Sequence, residues 1–209
     1  MTGAVVYGSP SFCTFGKRTS KQLCHKKGAA SRMGGFRRSI RSTEVRQGNS
    51  MLIKIICVGK IKEKFYRDAV GEYTKRLSRY AKTEIIECND EKTPDGASTE
   101  LCSQIKSKEG ERILGKIKDT DHVIALAIDG RAYTSEGLSD HFGSLMLAGK
   151  STIVFVIGGS LGLSDQVLER ADEKLSFSAL TFPHQLMRVI LLEQIYRSFK
   201  IMKGEPYHK

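Results

Sequence analysis

Short apolar runs alternate with longer stretches of helical spacing from residue 51 onwards. The runs predict strands over 52–58, 84–88, 123–128, 152–157 and 174–177, and the stretches between and after them predict helices over 63–80, 98–118, 135–148, 164–171 and 183–202. Continuous apolar strands between helices are typical of a parallel sheet covered on both faces. The pattern therefore predicts an α/β fold, with Ser135 as the cap of the third helix and Pro183 at the first position of the last.

The first fifty residues do not follow this pattern. They hold ten Lys or Arg side chains against a single acid, Glu44, together with eleven Ser or Thr residues. A segment rich in Arg and Ser and poor in acids is typical of an organelle transit peptide. We therefore expect residues 1–50 to be a transit peptide or disordered presequence and residues 51–209 to form one domain. The expected destination is the chloroplast, with the mitochondrion as the alternative.

This division changes what the charge of the chain means. The chain carries 34 basic and 23 acidic side chains, a net charge of +11. Residues 51–209 hold only 24 of the basic side chains and 22 of the acidic ones, so this part is nearly neutral. A nucleic-acid partner must therefore be argued from a local patch. Lys60, Lys62, Lys64 and Arg67 form one candidate patch, although an ordinary solvated helix start is equally consistent with the pattern.

Other classes of protein receive little support from the sequence. No apolar run approaches the roughly 18 residues of a membrane-spanning helix, so we expect no membrane association. Cys57, Cys88 and Cys102 form no CxxC pair and have no histidine at ligand spacing, so we expect reduced packing residues and no metal site.

Two predicted core strands end in glycine-containing turns, at Asp129-Gly130 and at Gly158-Gly159 with Gly162 beyond. The second turn matches neither the dinucleotide-binding fingerprint nor the Walker motif, and the loop after the first strand lacks the glycines of a flavodoxin-like phosphate site. Each turn alone is more typical of a simple chain reversal. If the two strands are neighbours, however, both turns open into one crevice, which is where open α/β sheets bind ligands.

The segment 177–182 is uncharged and joins the last predicted strand to the last helix. It is consistent with a buried strand and loop, or with a loop whose backbone wraps an adenine. His184, directly after Pro183, is expected to be a capping or hydrogen-bonded structural histidine.

The last predicted helix is apolar over more than one face. It therefore lies deep in the protomer or forms a dimer interface, and we favour the dimer. Its basic residues Arg188, Arg197 and Lys200 are expected on the remaining, solvated face, with Glu193 and Arg197 as an i,i+4 pair.

Residues 51–209 resemble, over nearly their whole length, the SPOUT-class methyltransferases that act on a pseudouridine of large-subunit ribosomal RNA. Three stretches carry the resemblance: FVIGGSLGL at 155–163, LSFSALTFPHQLMRV at 175–189 and EQIYRSFKIMKGEPYH at 193–208. The first fifty residues have no counterpart in the bacterial members. A presequence added to a protein of bacterial descent is the interpretation that this difference favours.

The resemblance implies a C-terminal trefoil knot, a homodimer and methylation of N3 of the pseudouridine, on ribosomal RNA or an assembled organellar ribosome. It also implies a site for S-adenosylmethionine. The implied cofactor contacts are Leu126, Gly158, Phe177, Ser178, Ala179, Leu180, Thr181 and Phe182.

For the chemistry, we nominate His208 as the base or orienting group and Tyr207 as its partner or a base-stacking platform. Arg188 or Arg197 is the candidate for binding phosphate or the developing anion. The alternative function is a catalytically silent module of the same fold that binds RNA or the ribosome.

Overall fold

A computed structural model describes residues 51–207 and shows strands and helices in strict alternation. The elements are β1 (Leu52–Val58), α1 (Lys64–Leu77), β2 (Lys82–Cys88), α2 (Thr99–Leu114), β3 (His122–Ala132), α3 (Ser135–Leu147), β4 (Thr152–Ile157), α4 (Asp165–Arg170), β5 (Glu173–Ser176) and α5 (His184–Met202). The predicted α/β class is confirmed. The predicted knot stays a prediction.

The five strands form one sheet in the order β2-β1-β4-β3-β5, and every neighbouring pair is parallel. Because β3 and β4 are adjacent, the two predicted glycine-containing segments lie at the same edge of the sheet, as expected. Buried side chains alternate between the faces: Ile55 and Phe155 pack with α1, α3 and α5, whereas Ile56 and Val156 pack with α2 and α4. Helices therefore cover both faces.

β3 is longer than predicted, and Asp129-Gly130 does not end it. Leu175 of β5 pairs with Leu126 and again with Arg131, so residues 127–130 bulge out of β3 before the strand resumes. A polar residue followed by glycine predicts a turn from sequence alone. Here the pairing of β3 with β5 on both sides of the bulge keeps the chain extended through Ala132.

The cap of α3 and the first residue of α5 are each shifted by one residue from the prediction. The cap of α3 is Thr134, not Ser135, because the extended Thr134 accepts a hydrogen bond from the amide of Gly137 at 3.0 Å. Pro183 is the residue before α5 and adopts an extended ψ of 134°, so the helix begins at His184. A proline at either position fits, because it has no amide hydrogen to satisfy.

The apolar residues of α5 divide between a buried face and a half-buried stripe. Leu191, Leu192 and Ile195 are fully buried between the sheet and the flanking helices α1 and α3. Val189 and Ile190 are only half-buried. One protomer therefore covers most of this helix, and the expected dimer stays a prediction.

The cysteines are packing residues, as predicted. Cys57 and Cys88 are buried, Cys102 is half-buried, and all three thiols are free. Burial raises the pKa of the Cys57 thiol to about 12, so this group stays protonated at physiological pH. Within residues 51–207, no helix combines the length and apolarity needed to cross a membrane.

Candidate active site

A cleft of about 210 Å³, counting the space open to solvent, lies at the carboxyl end of β3. Its walls come from β3 and its bulge, from the segment that follows β5, and from the first turn of α5. The lining residues are Leu126, Ala127, Ile128, Leu175, Phe177, Ser178, Leu180, Phe182 and Met187. Five of the eight predicted cofactor contacts therefore meet at one cleft. Ala179 and Thr181 lie in the same loop but do not line it.

The bulge in β3 forms one wall of the cleft. Because Leu175 pairs on both sides of the bulge, Ala127 and Ile128 are pushed out of the ladder and into the cleft wall. Gly130 closes the bulge, since a Cβ there would lie 2.6 Å from the backbone carbon of Leu175. Only glycine allows this close approach of two backbones.

The opposite wall is the loop over residues 177–182, whose shape is held by its own serines. The Ser178 hydroxyl accepts a hydrogen bond from the amide of Leu180 at 2.9 Å, and the Ser176 hydroxyl donates to the carbonyl of Ser178 at 3.4 Å. Leu180 is 70% exposed at the rim. The two serines therefore hold the turn of this segment through local hydrogen bonds.

Gly158 lies beyond the cleft lining, in the tight turn that follows β4. Gly159 and Gly162 form an antiparallel bridge across this turn, and Gly162 has a φ of +85°. A Cβ on Gly158 would lie 2.8 Å from the backbone of Gly162, and one on Gly159 would lie 2.9 Å from the carboxylate of Glu109. Glu109 is itself buried, and burial raises its pKa. The turn is thus too tight for a side chain at Gly158, where the obstacle is backbone, whereas at Gly159 the nearest atom is the end of the Glu109 side chain.

The structure contradicts the expected position of Arg188. Its side chain is fully buried, and its guanidinium pairs with Glu87 at 2.7 Å and donates to the carbonyls of Val58 and Gly59 at 3.1 and 2.6 Å. The helix spacing suggested a solvated face, but α5 starts against the carboxyl end of β1, where strand carbonyls and a carboxylate require a donor. Arg188 therefore fastens α5 to the sheet and does not face a phosphate in solution.

His184 is not the satisfied structural histidine expected from the sequence. Its buried Nδ1 has no hydrogen-bond partner among the described residues. The ring lies against Gly59, where an added Cβ would be 3.6 Å from both Cε1 and Nε2. Burial lowers the pKa of His184, and the charge of Arg188 lowers it further.

Tyr207 belongs to a polar cluster on the outer side of α5. Its hydroxyl donates to Glu193 at 3.2 Å, its ring packs edge-on against Tyr196, and Arg197 lies over the ring at 5.0 Å. Glu193 and Arg197 form the predicted i,i+4 pair. Burial and the charge of Glu193 raise the pKa of Tyr207 to about 12, so its hydroxyl stays protonated at neutral pH. His208 lies outside the described residues.

Comparison with known proteins identifies the family. The family described as "Predicted SPOUT methyltransferase" matches residues 51–208. The chain belongs to the SPOUT methyltransferase family. It is 60% identical over 159 residues to "Ribosomal RNA large subunit methyltransferase H" of Bacillus pumilus (strain SAFR-032), and 63% identical over 159 residues to the protein of the same name in Clostridium botulinum (strain Okra / Type B1). Each match covers 76% of this chain and the whole of the relative.

The residues around the cleft fit the adenosine part of S-adenosylmethionine, the cofactor that membership of the SPOUT family implies. Phe177, Phe182 and Met187 supply apolar surfaces for a flat ring, and the serine-shaped loop supplies backbone groups. The Gly158-Gly159 turn lies at the end of the neighbouring strand β4, and its close backbone contacts leave no room for a Cβ on Gly158.

Several cleft residues were missed from the sequence. Ala127 and Ile128 were expected at the end of a buried strand, and Leu175 was expected to be an ordinary core residue. All three line the cleft. The position of Met187 near the site was only weakly indicated by the sequence, because Met187 follows His184 by three residues and so shares a helix face with it. No group of three or more His, Cys, Asp or Glu side chains suited to a metal ion occurs in residues 51–207.

Gly158→Ala tests whether the tight turn belongs to the cofactor site. The added methyl must displace the backbone of Gly162, so we expect the affinity for S-adenosylmethionine to fall by at least tenfold in calorimetric titrations. Gly71→Ala is the matched control, because a Cβ on this helical glycine meets nothing within 4 Å. Equal affinities in both variants would remove the turn from the site.

Arg188→Met tests the structural role of the buried guanidinium. Removing one partner of a buried ion pair typically costs about 3–5 kcal/mol, and the loss here also leaves two carbonyls without a donor. Urea unfolding at one fixed protein concentration measures the change. The control is Arg76→Met, which breaks an exposed pair with Glu72 and should leave the midpoint unchanged. If both variants unfold at the same midpoint, Arg188 is not a structural anchor.

Proposed function

We propose that this protein transfers a methyl group from S-adenosylmethionine to N3 of a pseudouridine in large-subunit ribosomal RNA. The observation that carries the proposal is the cleft formed by Leu126, the β3 bulge and residues 177–182, beside the Gly158 turn. The residues of the implied cofactor site thus converge at the carboxyl edge of the sheet. The names of the relatives at 60–63% identity supply the large-subunit ribosomal RNA target.

When bound, S-adenosylmethionine supplies the electrophilic methyl group. The protein supplies position: the apolar walls and the fixed loop hold the cofactor in one orientation, and such positioning contributes a large share of the acceleration in a transfer between two bound reactants. The target nitrogen is a weak nucleophile while it carries its proton, so a nearby acceptor accelerates the reaction.

A homodimer completes the site. Tyr207 bonds to Glu193, which lies six residues beyond Met187 and therefore about 9 Å along the axis of α5, on another side of the helix. The polar cluster of Glu193, Arg197 and Tyr207 therefore lies outside the cleft of its own protomer. The half-buried Val189 and Ile190 on the same helix provide the apolar part of a subunit interface, and a second copy brings the cluster and His208 to the cleft.

The RNA docks on the basic loop between β1 and α1. Lys60, Lys62 and Lys64 are exposed there, at the same edge of the sheet as the cleft, and Phe65 is 61% exposed and packs on Tyr66. Exposed cations bind phosphates, and an exposed aromatic ring stacks on an unpaired base. The local patch thus supplies the attraction that the near-neutral domain as a whole lacks.

The remaining parts of the proposal rest on sequence. The family match begins at residue 51, and the composition of residues 1–50 supports a transit peptide to the chloroplast, with the mitochondrion as the alternative. The substrate is then the organellar ribosome. Membership of the SPOUT family supports the C-terminal trefoil knot.

A methyl-transfer assay tests the proposed function. The full chain is incubated with labelled S-adenosylmethionine and ribosomes from a bacterial strain that lacks the related enzyme, and mass analysis of the digested RNA locates the label. We expect one methyl group on one pseudouridine of the large subunit. RNA binding without transfer or cofactor binding would instead support the catalytically silent module.

Removing the positive charges of the β1–α1 loop tests the RNA surface. Lys60→Ala/Lys62→Ala/Lys64→Ala should weaken ribosome binding and lower the slope of log affinity against log salt by about 2–3, since each phosphate contact contributes roughly 0.7–0.9. The control removes three exposed lysines from the opposite edge of the sheet, Lys116, Lys118 and Lys150. Equal salt slopes in the two triple variants would place the RNA elsewhere.

A further inference from the structure

His184 lies between the two surfaces assigned above. It follows Phe182 by two residues and precedes Met187 by three, and both of these residues line the cleft. On its other side the ring contacts Gly59, at the start of the basic loop. The next residue, Gln185, accepts a hydrogen bond from the amide of Lys62 at 3.0 Å, which fixes the loop beside the histidine. His184 does not line the cleft itself; it lies in the first turn of α5, between the cleft residues Phe182 and Met187 and the basic loop at Gly59.

The surroundings of His184 suit a proton acceptor. Three charged groups from the packed elements face it: Arg188 on α5, Lys62 on the β1–α1 loop and Asp90 after β2. Burial and the two cations lower the pKa of the imidazole, and Asp90 opposes them. The ring is thus neutral at pH 7. Gly59 has a φ of +81° and no side chain, and a Cβ there would lie 3.6 Å from Nε2, so the glycine lets the loop pack close to this edge of the ring.

We infer that His184 is a catalytic residue that accepts the N3 proton of the target pseudouridine. The inference rests on the proposed function. The N3–H bond breaks and its proton moves to Nε2 of His184. The nitrogen uses the freed electron pair to bond the methyl carbon, and the bond from that carbon to sulfur breaks with its electron pair left on sulfur. The imidazolium of His184 then releases the proton to water.

The test compares full-length wild type with His184→Gln in three measurements. These are the single-turnover methyl-transfer rate on ribosomes between pH 5.5 and 8.5, the affinity for S-adenosylmethionine by calorimetry, and the imidazole pKa by nuclear magnetic resonance. Wild type should lose activity as the pH falls through the lowered pKa of His184. His184→Gln should be about 100-fold slower at pH 7.5, the lower end of a general-base contribution, without that acidic fall and with unchanged cofactor affinity.

Asp90→Asn provides a second, milder variant that keeps the imidazole. Because Asp90 raises the pKa of His184, its neutralisation should move both the measured imidazole pKa and the acidic limb of the rate profile to lower pH together. If His184→Gln does not fold, this paired shift alone decides the inference.

The outcomes separate this inference from the proposed function. Normal transfer by His184→Gln, or an acidic limb that persists in that variant, would overturn the inference while wild-type transfer still supports the methyltransferase. A rate loss matched by an equal loss of cofactor affinity would make His184 a binding residue only. Failure of wild type to methylate would overturn the proposed function and this inference with it.

Discussion

The parallel pairing of all five strands is the constraint on which the candidate site depends. Every strand leaves the sheet at the same edge, so the loops after β1, β3, β4 and β5 meet although they are far apart in sequence. Helices on both faces bury the strands and leave this edge as the place where backbone and ligand meet. The site therefore combines apolar side chains with tight turns, in which close backbone contacts require glycine at Gly130 and Gly158.

Arg188 joins this edge to the last helix. Its buried guanidinium donates hydrogen bonds to strand-end carbonyls and pairs with Glu87. These contacts fix the start of α5 and therefore also the end of the loop over residues 177–182. A fully buried cation is tolerated only where partners compensate for lost hydration; here the end of β1 provides two carbonyls and β2 provides Glu87. The same contacts place His184 beside the β1–α1 loop. Fold stability and site geometry thus depend on one side chain.

Much of this arrangement was predictable from the sequence, because apolar runs and helical spacing indicate which side chains of each segment are buried. The alternation of elements followed from that pattern, whereas the adjacency of β3 and β4 was only a condition for a shared crevice and came from the sheet order. The bulge at 127–130 did not, since only pairing with β5 distinguishes it from a turn. Arg188 and His184 were misjudged for a related reason: helical spacing does not reveal that α5 begins against the end of β1. Gly158 and residues 177–182 were assigned through family resemblance, and their assembly needed the sheet order.

Hydrogen exchange of the full chain with and without saturating S-adenosylmethionine locates the cofactor without requiring transfer. We expect slower exchange in three separate segments, around residues 126–131, 158–163 and 177–184, with little change in α2 away from this edge. Binding that slows exchange only outside these segments would contradict the assignment of the cleft as the cofactor site.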